Sequence, residues 1–509
     1  MNATINRPAP DSSGHWSEWV TTVLGMLWLA VFPLWQGGTY ASITHAKWVG
    51  MLMLTALTAA ACLYTLWHRF REPGGPRLPH LSWLHVAALC YFVLVALSAR
   101  FGAWADHENE AGRLTVIWGA RRYEGLITQG CYGVIFLCLS LTRVRLRCLL
   151  DAAAVVLLIY FGGVLLQYRG VNVLMLFPEG RSIRTNYEFQ GTIGNIDMVV
   201  GYISLVMPLL LTGFALLKRP GWLWLLSGLS GVLLMLMMEV QSGLIVAAAM
   251  LFALCLMALR APDARWRVLL ILGGALLMFS LRQMTGLPWL DGTEELTFPL
   301  PVTIRRLLPA LAGLALMALA PLLRRRKGPA IPLAPTVFIA LTALLILFLL
   351  LYVLPFPQGS GLWEMQELLH GRPQDSFGSE RIGVWRMTLE MARENLLWGT
   401  GPDAFLYALS NHMGRTSQAL SQTFDTPHNL LLGVLINSGL PAAVLFMTLC
   451  TGAIARALRR ARQDRAVLPL TMAAGCYLLQ GMFTFSICLV TPMFWAVLGM
   501  LAGQTARDA

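Results

Sequence analysis

The stretch APTVFIALTALLILFLLLYVLP, residues 334–355, decides the fold class of this chain. It carries no charged residue and exceeds the roughly 20 apolar residues that take an α-helix across the hydrocarbon core of a bilayer. Comparable stretches recur along all 509 residues, of which 57% are hydrophobic and 13% charged. Because a backbone inside lipid must satisfy its own hydrogen bonds, such long apolar runs favour helices over alternating strands. The sequence therefore predicts an all-α, polytopic transmembrane helical bundle.

About 12–14 spans are expected, and fourteen apolar stretches can be placed. They lie near 18–37, 47–67, 81–101, 125–141, 149–167, 192–217, 221–238, 241–259, 268–283, 306–323, 334–355, 429–455, 467–487 and 489–505. The expected organisation is a cytoplasmic tail at 1–17, eleven spans within 18–355, a long outer loop at 356–428, C-terminal spans within 429–505 and a cytoplasmic tail at 506–509. The polar start lacks the apolar core of a signal peptide, so the first span is expected to remain as an anchor.

Every second loop between these spans is short and basic. The residues concerned are Arg69, Arg71, Arg77, Arg143, Arg145, Arg147, Lys218, Arg219, Arg260, Arg265, Arg267, Arg324, Arg325, Arg326, Lys327, Arg456, Arg459, Arg460, Arg462 and Arg465. By the positive-inside rule these loops and both termini are cytoplasmic in a bacterial inner membrane. The longer loops at 102–124, 168–191, 284–305 and 356–428 then face outside, where functional loops are sought. The net charge of +12 follows from this placement, so membrane lipid is expected as a partner and nucleic acid is not.

Several kinds of chemistry lack their sequence signatures. All nine cysteines lie in or beside apolar spans and form no C-x-x-C pair, which favours neither disulfides nor zinc. The chain has no G-x-x-x-x-G-K-[ST] loop, no Asp-x-Asp pair and no metal-ligand spacing of His, Cys and carboxylates. We therefore expect no metal and no cofactor, with energy supplied by the substrate or by a gradient.

The run TPHNLLLGVLINSGLP, residues 426–441, is the most informative motif. Thr426 can cap a helix and Gly439 suits its end, so His428 is expected in the first turn of a helix that enters the membrane. The partial positive charge of a helix N-terminus disfavours imidazolium and keeps His428 neutral. A neutral imidazole can act as a general base toward a hydroxyl. The alternative interpretation is an interfacial histidine that hydrogen-bonds a loop carbonyl.

Upstream, GSERIGVWRMTLEMARENLLWGTGPDAF at 378–405 predicts an amphipathic helix in the outer loop. Its expected apolar stripe is Trp385, Leu389, Ala392 and Leu396. Arg381, in the first turn, can offer a planar guanidinium fork to a phosphate. The alternatives for Arg381 are a pair with Glu380 or with lipid phosphate.

Two further outer segments carry charged groups, GARRYEGLIT at 119–128 and RSIRTNYEFQGTIGNIDMVVGY at 181–202. Their candidate site residues are Arg122, Glu124, Arg184, Asn195 and Asp197. Boundary arginines are commonly snorkelling anchors, and buried polar groups can simply bond between helices. Cations that gather from three separate outer loops, where positive charge is normally sparse, favour a bound anionic ligand.

These motifs together resemble the O-antigen ligase and O-antigen polymerase superfamily of bacterial membrane glycan transferases. The matching segments are RRYEGL at 121–126, GTIGNID at 191–197, SERIGVW at 379–385, GTGPDAF at 399–405 and HNLLLGVLINSGLP at 428–441. The likeness covers roughly residues 120–505. Two departures are Asp197, where the family has a second Asn, and Gln241-Ser242-Gly243, where it often has Ser-Arg-Gly.

The resemblance implies transfer of a glycan from an undecaprenyl diphosphate carrier to an acceptor sugar of a lipid or saccharide, at the outer face and without metal. Carried over to this sequence, His428 would activate the acceptor hydroxyl, and Arg122, Arg184 and Arg381 would hold the diphosphate. Glu124, Asn195, Asp197 and Asn429 would be supporting polar residues. Ligase and polymerase variants are not separated by these motifs. The competing class is a polysaccharide or lipid transporter or flippase, which needs ionisable groups deep in the bundle.

Overall fold

A computed structural model describes most of the chain, and nearly all of it is helical. The described residues are 12–71, 81–178, 181, 183, 186–284, 302–325 and 328–505. Positions discussed above that lie outside these ranges are 1–11, Arg77, Arg184, most of the 284–305 loop, Arg326, Lys327 and 506–509.

The elements follow one another along the described residues with short connections. The first group is α1 (Ser12–Met26), a π-helical turn (Leu27–Val31), α2 (Phe32–Leu34), a 3₁₀ turn (Tyr40–Ser42), α3 (Ile43–Arg71), α4 (Trp83–Phe101), α5 (Thr115–Trp118), α6 (Leu126–Ser140) and α7 (Leu146–Tyr168). The second group is β1 (Phe189–Gln190), β2 (Gly194–Asn195), α8 (Ile196–Leu216), α9 (Trp222–Met238), α10 (Gln241–Arg260), α11 (Arg265–Met284), α12 (Val302–Arg325) and α13 (Leu333–Val353). The third group is α14 (Gly361–Leu369), α15 (Arg381–Glu394), α16 (Phe405–Thr416), α17 (Leu430–Arg460), a 3₁₀ turn (Arg465–Val467), α18 (Leu468–Gly481) and α19 (Thr491–Thr505).

The predicted all-α membrane bundle is confirmed. Within the described ranges, 10 helices are long and apolar enough to cross a membrane, and each coincides with a predicted span. The other four predicted spans also contain helices, but α6, α9, α18 and α19 have 15, 17, 14 and 15 residues. At about 1.5 Å per residue, these four helices lie at or below the shortest length that covers the roughly 30 Å hydrocarbon core. Hydropathy thus placed all four helices but did not fix where they end.

Helix α8 lies at the centre of the bundle. Its apolar window is 100% buried, and it packs against α7, α9, α10 and α18. A helix that is apolar on every side is stable in such a fully enclosed position. The two-residue strands β1 and β2 form an antiparallel hairpin directly before α8, so the chain enters the centre of the bundle from a fixed turn.

Helices α12 and α13 are the least packed against the rest of the protein. Only 11% of the apolar window of α12 and 6% of that of α13 are buried. Helix α12 packs on α11 where Gly273 and Gly313 bring the two backbones together. Most side chains of α13 are left to face lipid, which agrees with its having the highest mean hydropathy of the candidate spans, 2.8.

The first span ends at a buried lysine. Lys47 of α3 has no exposed surface, and its Nζ donates to the carbonyl oxygens of Phe32 at 2.7 Å and Pro33 at 2.8 Å. The Thr192 hydroxyl also donates to the Pro33 carbonyl, at 2.7 Å. The Phe32 carbonyl also accepts from the backbone N–H of Trp35, at 3.1 Å. Lys47 thus adds two buried hydrogen bonds at the end of the first span.

Replacing Lys47 with methionine is expected to destabilise the protein by about 2–3 kcal/mol, because it removes the two buried hydrogen bonds that Lys47 donates to Phe32 and Pro33. The measurement is the midpoint of thermal unfolding in detergent, compared with Lys218→Met. Lys218 is exposed at the end of α8, so its replacement should shift the midpoint little. Equal midpoints for the two variants would show that Lys47 is not a structural cap.

Candidate functional site

The turn before α6 is held in place by Asp403. The Asp403 carboxylate oxygen Oδ2 accepts hydrogen bonds from the backbone N–H groups of Ala120 at 2.7 Å and Glu124 at 3.1 Å. Gly119, at φ +86°, makes this tight turn possible because a Cβ there would meet both Tyr123 and Asp403. Burial raises the pKa of Asp403 to about 6. Two motifs that lie far apart in sequence therefore form one rigid unit.

Arg122 projects from this turn and forms an ion pair with Asp425. Its Nε and Nη2 donate to the two Asp425 carboxylate oxygens at 2.6 and 2.7 Å. The guanidinium also lies over the Phe485 ring, 3.9 Å from the ring centroid. This bidentate, stacked geometry fixes the direction of the Arg122 side chain.

Glu124 points the other way, into the protein. Its carboxyl oxygens accept from the Tyr132 hydroxyl at 2.6 Å, the Ser486 hydroxyl at 2.8 Å and the Gln129 amide at 3.2 Å. Burial raises the pKa of Glu124 to about 8, so the group is mostly protonated at neutral pH. A neutral, fully bonded carboxyl at this position supports the turn and contributes little charge to a ligand.

The helix of the 426–441 run begins later than predicted. Asn429 is its N-cap, since its Oδ1 accepts from the N–H of Leu432 at 3.0 Å and its Nδ2 donates to the Met482 carbonyl at 2.9 Å. The prediction that Thr426 caps the helix and His428 lies in its first turn was wrong. His428 adopts φ +48°, a left-handed conformation that a helix cannot include. It stands just outside the helix, and Asn429 has the structural role.

His428 is neutral, and its Nε2 makes no hydrogen bond with the part of the chain that the structure describes. Its Nδ1 lies 3.1 Å from the Thr426 carbonyl, and because a carbonyl only accepts, Nδ1 carries the hydrogen and Nε2 the lone pair. The rings of Phe424 and Phe485 pack nearly perpendicular to the imidazole. Burial and the nearby charge of Arg381 lower the pKa of His428 to about 4. The imidazole can therefore accept a proton at Nε2.

The 399–405 motif closes a break in the helix that follows His428. Gly439 has the non-helical angles φ +81° and ψ 171° inside α17. The N–H groups of Thr400 and Gly401 donate to the carbonyls of Ile436 at 2.7 Å and Asn437 at 3.0 Å. A helix end buried in protein needs such external donors for its last carbonyls. The first half of the helix thus ends at Gly439, as the sequence predicted, and continues beyond it in a second segment.

Replacing Gly439 with alanine is expected to cost about 3 kcal/mol or more, because it combines positive-φ strain with a steric clash. The added Cβ would collide with the Leu397 carbonyl. Gly433→Ala is the matched control, since its Cβ would meet only Pro427 Cγ at 3.8 Å. Thermal unfolding should separate the two variants, and a Gly439→Ala protein as stable as Gly433→Ala would contradict this account of the break.

Helix α15 is amphipathic, but not along the predicted stripe. Its buried face comprises Gly383, Val384, Met387, Thr388, Met391 and Ala392. Leu389 and Leu396 are 44% and 49% exposed, so the predicted stripe was wrong for these two residues. The helix carries two apolar stripes, and contact with α16 and α17 selects the one that contains both methionines. Trp385 of the predicted stripe is half-buried and donates from its indole nitrogen to the Pro427 carbonyl at 2.8 Å, which ties α15 to the His428 segment.

Arg381 is the first residue of α15 and faces an open cleft with about 760 Å³ of empty space. The same cleft is lined by Arg121, Arg122, Ser379, Gln422, Thr423, Phe424, Asp425 and His428. Among the described residues, the Arg381 side chain makes no hydrogen bond and no ion pair with a protein group, whereas Arg122 is paired with Asp425. The alternative pair of Arg381 with Glu380 is absent there, and Glu380 instead accepts from the Ser421 N–H at 3.0 Å. The cleft therefore combines an unpaired cation with a neutral histidine.

The remaining predicted residues have different places. Asn195 caps α8 by accepting from the Asp197 N–H at 2.9 Å, which is a structural role. Asp197 lies within electrostatic reach of Arg381 and Arg122, so it borders the same site. Arg184 lies outside the described residues.

Residues 300–447 match a family model described as O-antigen ligase. This match supports the resemblance of the chain to the O-antigen ligase and polymerase superfamily. No curated protein matches the chain. The matched region contains Arg381, Asp403, Asp425 and His428, whereas Arg122 lies outside it. Together with the apolar helices, the match supports a multi-pass bacterial membrane protein with a glycan-transferring, ligase or polymerase type of function.

Three residues of the candidate site were missed by the sequence reasoning. Asp403 stood inside a quoted motif and Asp425 directly precedes the TPHN run, so both offered a signal by position. Phe485 offered none, because an aromatic residue near the end of an apolar span is usual. The contact of Phe485 with both Arg122 and His428 is visible only in the folded chain.

Proposed function

We propose that this protein moves a glycan from an undecaprenyl diphosphate carrier to a sugar hydroxyl of a lipid or saccharide acceptor, as a ligase or a polymerase, without a metal ion. The observation that carries the proposal is the cleft in which a neutral His428 faces the unpaired Arg381 and the stacked Arg122. A base can take the proton of a hydroxyl nucleophile, and two guanidinium groups can stabilise the negative charge of a diphosphate leaving group.

The reaction follows from the two kinds of group. The acceptor hydroxyl gives its proton to Nε2 of His428 while its oxygen forms a bond to the anomeric carbon of the donor. The bond from that carbon to the diphosphate oxygen breaks, and the diphosphate leaves with the electron pair. Arg381 and Arg122 stabilise the negative charge that develops on the departing oxygen, an effect worth several kcal/mol in comparable sites.

The proposed orientation places this cleft outside the membrane and both termini in the cytoplasm. Helix α17 begins at Leu430 beside the cleft and ends at Arg460 among the basic loops. At that far end Arg465 pairs with Asp263 at 3.0 Å, so basic loops from different spans lie together. Positive-inside topology makes that end cytoplasmic and the cleft external.

In this arrangement the proposed organisation is a bundle within 18–355, an outer loop at 356–428 and C-terminal transmembrane spans within 429–505. The outer loop supplies Arg381, Asp425 and the histidine, while the bundle supplies Arg122. Lipid tails of the carrier would remain among the helices, and the glycan would extend into the outer cleft. The catalytic groups thus meet at the boundary where a lipid-linked donor presents its diphosphate.

The test is glycan transfer in proteoliposomes supplied with an undecaprenyl diphosphate oligosaccharide and an acceptor glycolipid. Transfer that persists in EDTA and releases undecaprenyl diphosphate is the expected result. A requirement for a divalent cation would overturn metal independence. Passage of the intact donor across the membrane with no release of diphosphate would instead identify a flippase.

A further inference from the structure

Asp425 occupies the part of Arg122 that a phosphate would bind. The Nε and Nη2 groups of a guanidinium form the planar fork that recognises carboxylates and phosphates in the same way. In the structure both positions are taken by the Asp425 carboxylate, at 2.6 and 2.7 Å. Arg122 therefore has no free bidentate edge of this kind, although it lines the cleft together with the unpaired Arg381.

We propose that the diphosphate of the donor displaces the Asp425 carboxylate from Arg122 and that this exchange activates His428. Donor binding therefore precedes activation of the acceptor. This inference rests on the proposed function and adds an order of binding to it. Asp425 is a positioning residue here, because it acts through Arg122 and His428.

The geometry allows the exchange. The side chains of Arg122 and Asp425 are 23% and 25% exposed, so both reach the cleft and neither is locked in the interior. A diphosphate bound to Arg381 would lie beside Asp425 in the same cleft, and two anions there would repel each other. Since the diphosphate carries more charge than the carboxylate, Arg122 favours the diphosphate.

The exchange changes the electrostatic surroundings of His428. The charged groups that act on the ring are Arg381 from α15, Arg122 from the turn before α6 and Asp425 from its own segment. Asp197 of α8 faces the same two arginines. In the structure the arginine charges oppose protonation of His428, and Asp425 offsets them only in part.

A bound diphosphate would neutralise both arginines and thus raise the pKa of His428 toward neutrality, where a general base is most effective. The displaced Asp425 carboxylate, three residues before His428 in the chain, acts in the same direction. Before the donor arrives, His428 is a weak base and would activate neither acceptor nor water. Binding of the donor thereby makes His428 basic enough to activate the acceptor hydroxyl.

The experiment is calorimetric titration of the full-length protein in nanodiscs with inorganic pyrophosphate as the probe. Asp425→Asn should bind pyrophosphate about tenfold more tightly than wild type, because it removes a competing and repelling charge. Glu110→Gln is the matched control. It frees Arg121 at the rim of the same cleft, but both partners of that pair are largely exposed and the affinity should change little.

Two further measurements make the outcome decisive even if Asp425→Asn folds poorly. In an Arg122→Gln background the gain from Asp425→Asn should disappear, and a gain that persists would overturn the exchange. In wild type, histidine NMR should show the pKa of His428 rising by at least about one unit when pyrophosphate is added. An unchanged pKa would overturn the activation of His428.

Failure of the inference can be told from failure of the proposed function. Pyrophosphate binding that is lost in Arg381→Ala but indifferent to Asp425→Asn would overturn the exchange and leave the diphosphate site intact. Wild type that binds no pyrophosphate would contradict the diphosphate site itself, and with it the exchange.

Discussion

Replacing His428 with alanine is expected to lower the rate of glycan transfer about a thousandfold, the usual contribution of a positioned general base. The effect should fall on kcat, because the donor is held by the arginines and not by the histidine. The measurement is initial rates of transfer in proteoliposomes at saturating donor, with equal amounts of folded protein. Near-normal turnover by His428→Ala would mean that another group takes the acceptor proton.

Two controls accompany this variant. His370→Ala removes a histidine of the outer loop that packs on Tyr352 and lies outside the cleft, so its rate should equal that of wild type. The pH profile supplies the second control. Because the pKa of His428 is lowered to about 4, the histidine is neutral above that pH and loses its free Nε2 lone pair below it. The kcat/KM of wild type should therefore fall only as the pH drops toward 4. The kcat/KM of His428→Ala should show no such fall.

Replacing Arg381 with alanine is expected to reduce kcat by about 10²–10³, since it removes a preorganised cation from a leaving group that carries developing charge. Arg381 has no carboxylate partner among the described residues, so its charge is available to the ligand without first breaking an ion pair. Arg381→Lys should recover only part of the rate, because an ammonium cannot offer the planar fork. The comparison is made with the same transfer assay under saturating donor.

Arg386→Ala is the matched control on the same helix. Arg386 is 51% exposed and pairs with Asp375 at 2.6 Å on the surface, so its loss should change transfer by less than about twofold. Equal losses in Arg381→Ala and Arg386→Ala would indicate that α15 tolerates no arginine change, and the role given to Arg381 would then be withdrawn.

The sequence predicted most of the fold because a helix that crosses lipid must be long and apolar. Apolar runs of sufficient length marked every long membrane helix in the described residues, and the helix predicted within 378–405 is present as α15. Helix ends were harder. Thr426 and Asn429 are both good capping residues, and the choice between them depends on the Met482 carbonyl that Asn429 reaches. The exposed stripe of α15 was mistaken for the buried one because periodicity identifies an apolar face but not its neighbour.

The sequence indicated His428 and the arginines of the candidate site, but it did not indicate the carboxylates that position them. Asp403 and Asp425 contact residues that lie 279 and 303 positions earlier in the chain. Contacts of this separation leave no periodic signal in a single sequence. Local patterns thus indicated which side chains have useful chemistry, and the folded chain was needed to show that the carboxylates hold them.

The hydrogen bond between Glu124 and Ser486 spans 362 residues, and this separation has a consequence for biogenesis. At a synthesis rate of about 5–20 residues per second, the first arginine turn waits on the order of half a minute for its last partner. For most of that interval the turn has neither Asp403 nor Asp425 to hold it, and Ser486 is absent until the end. A ribosome-bound chain that stalls before the final two helices therefore carries Arg122 and His428 but lacks Phe485, which contacts both of them.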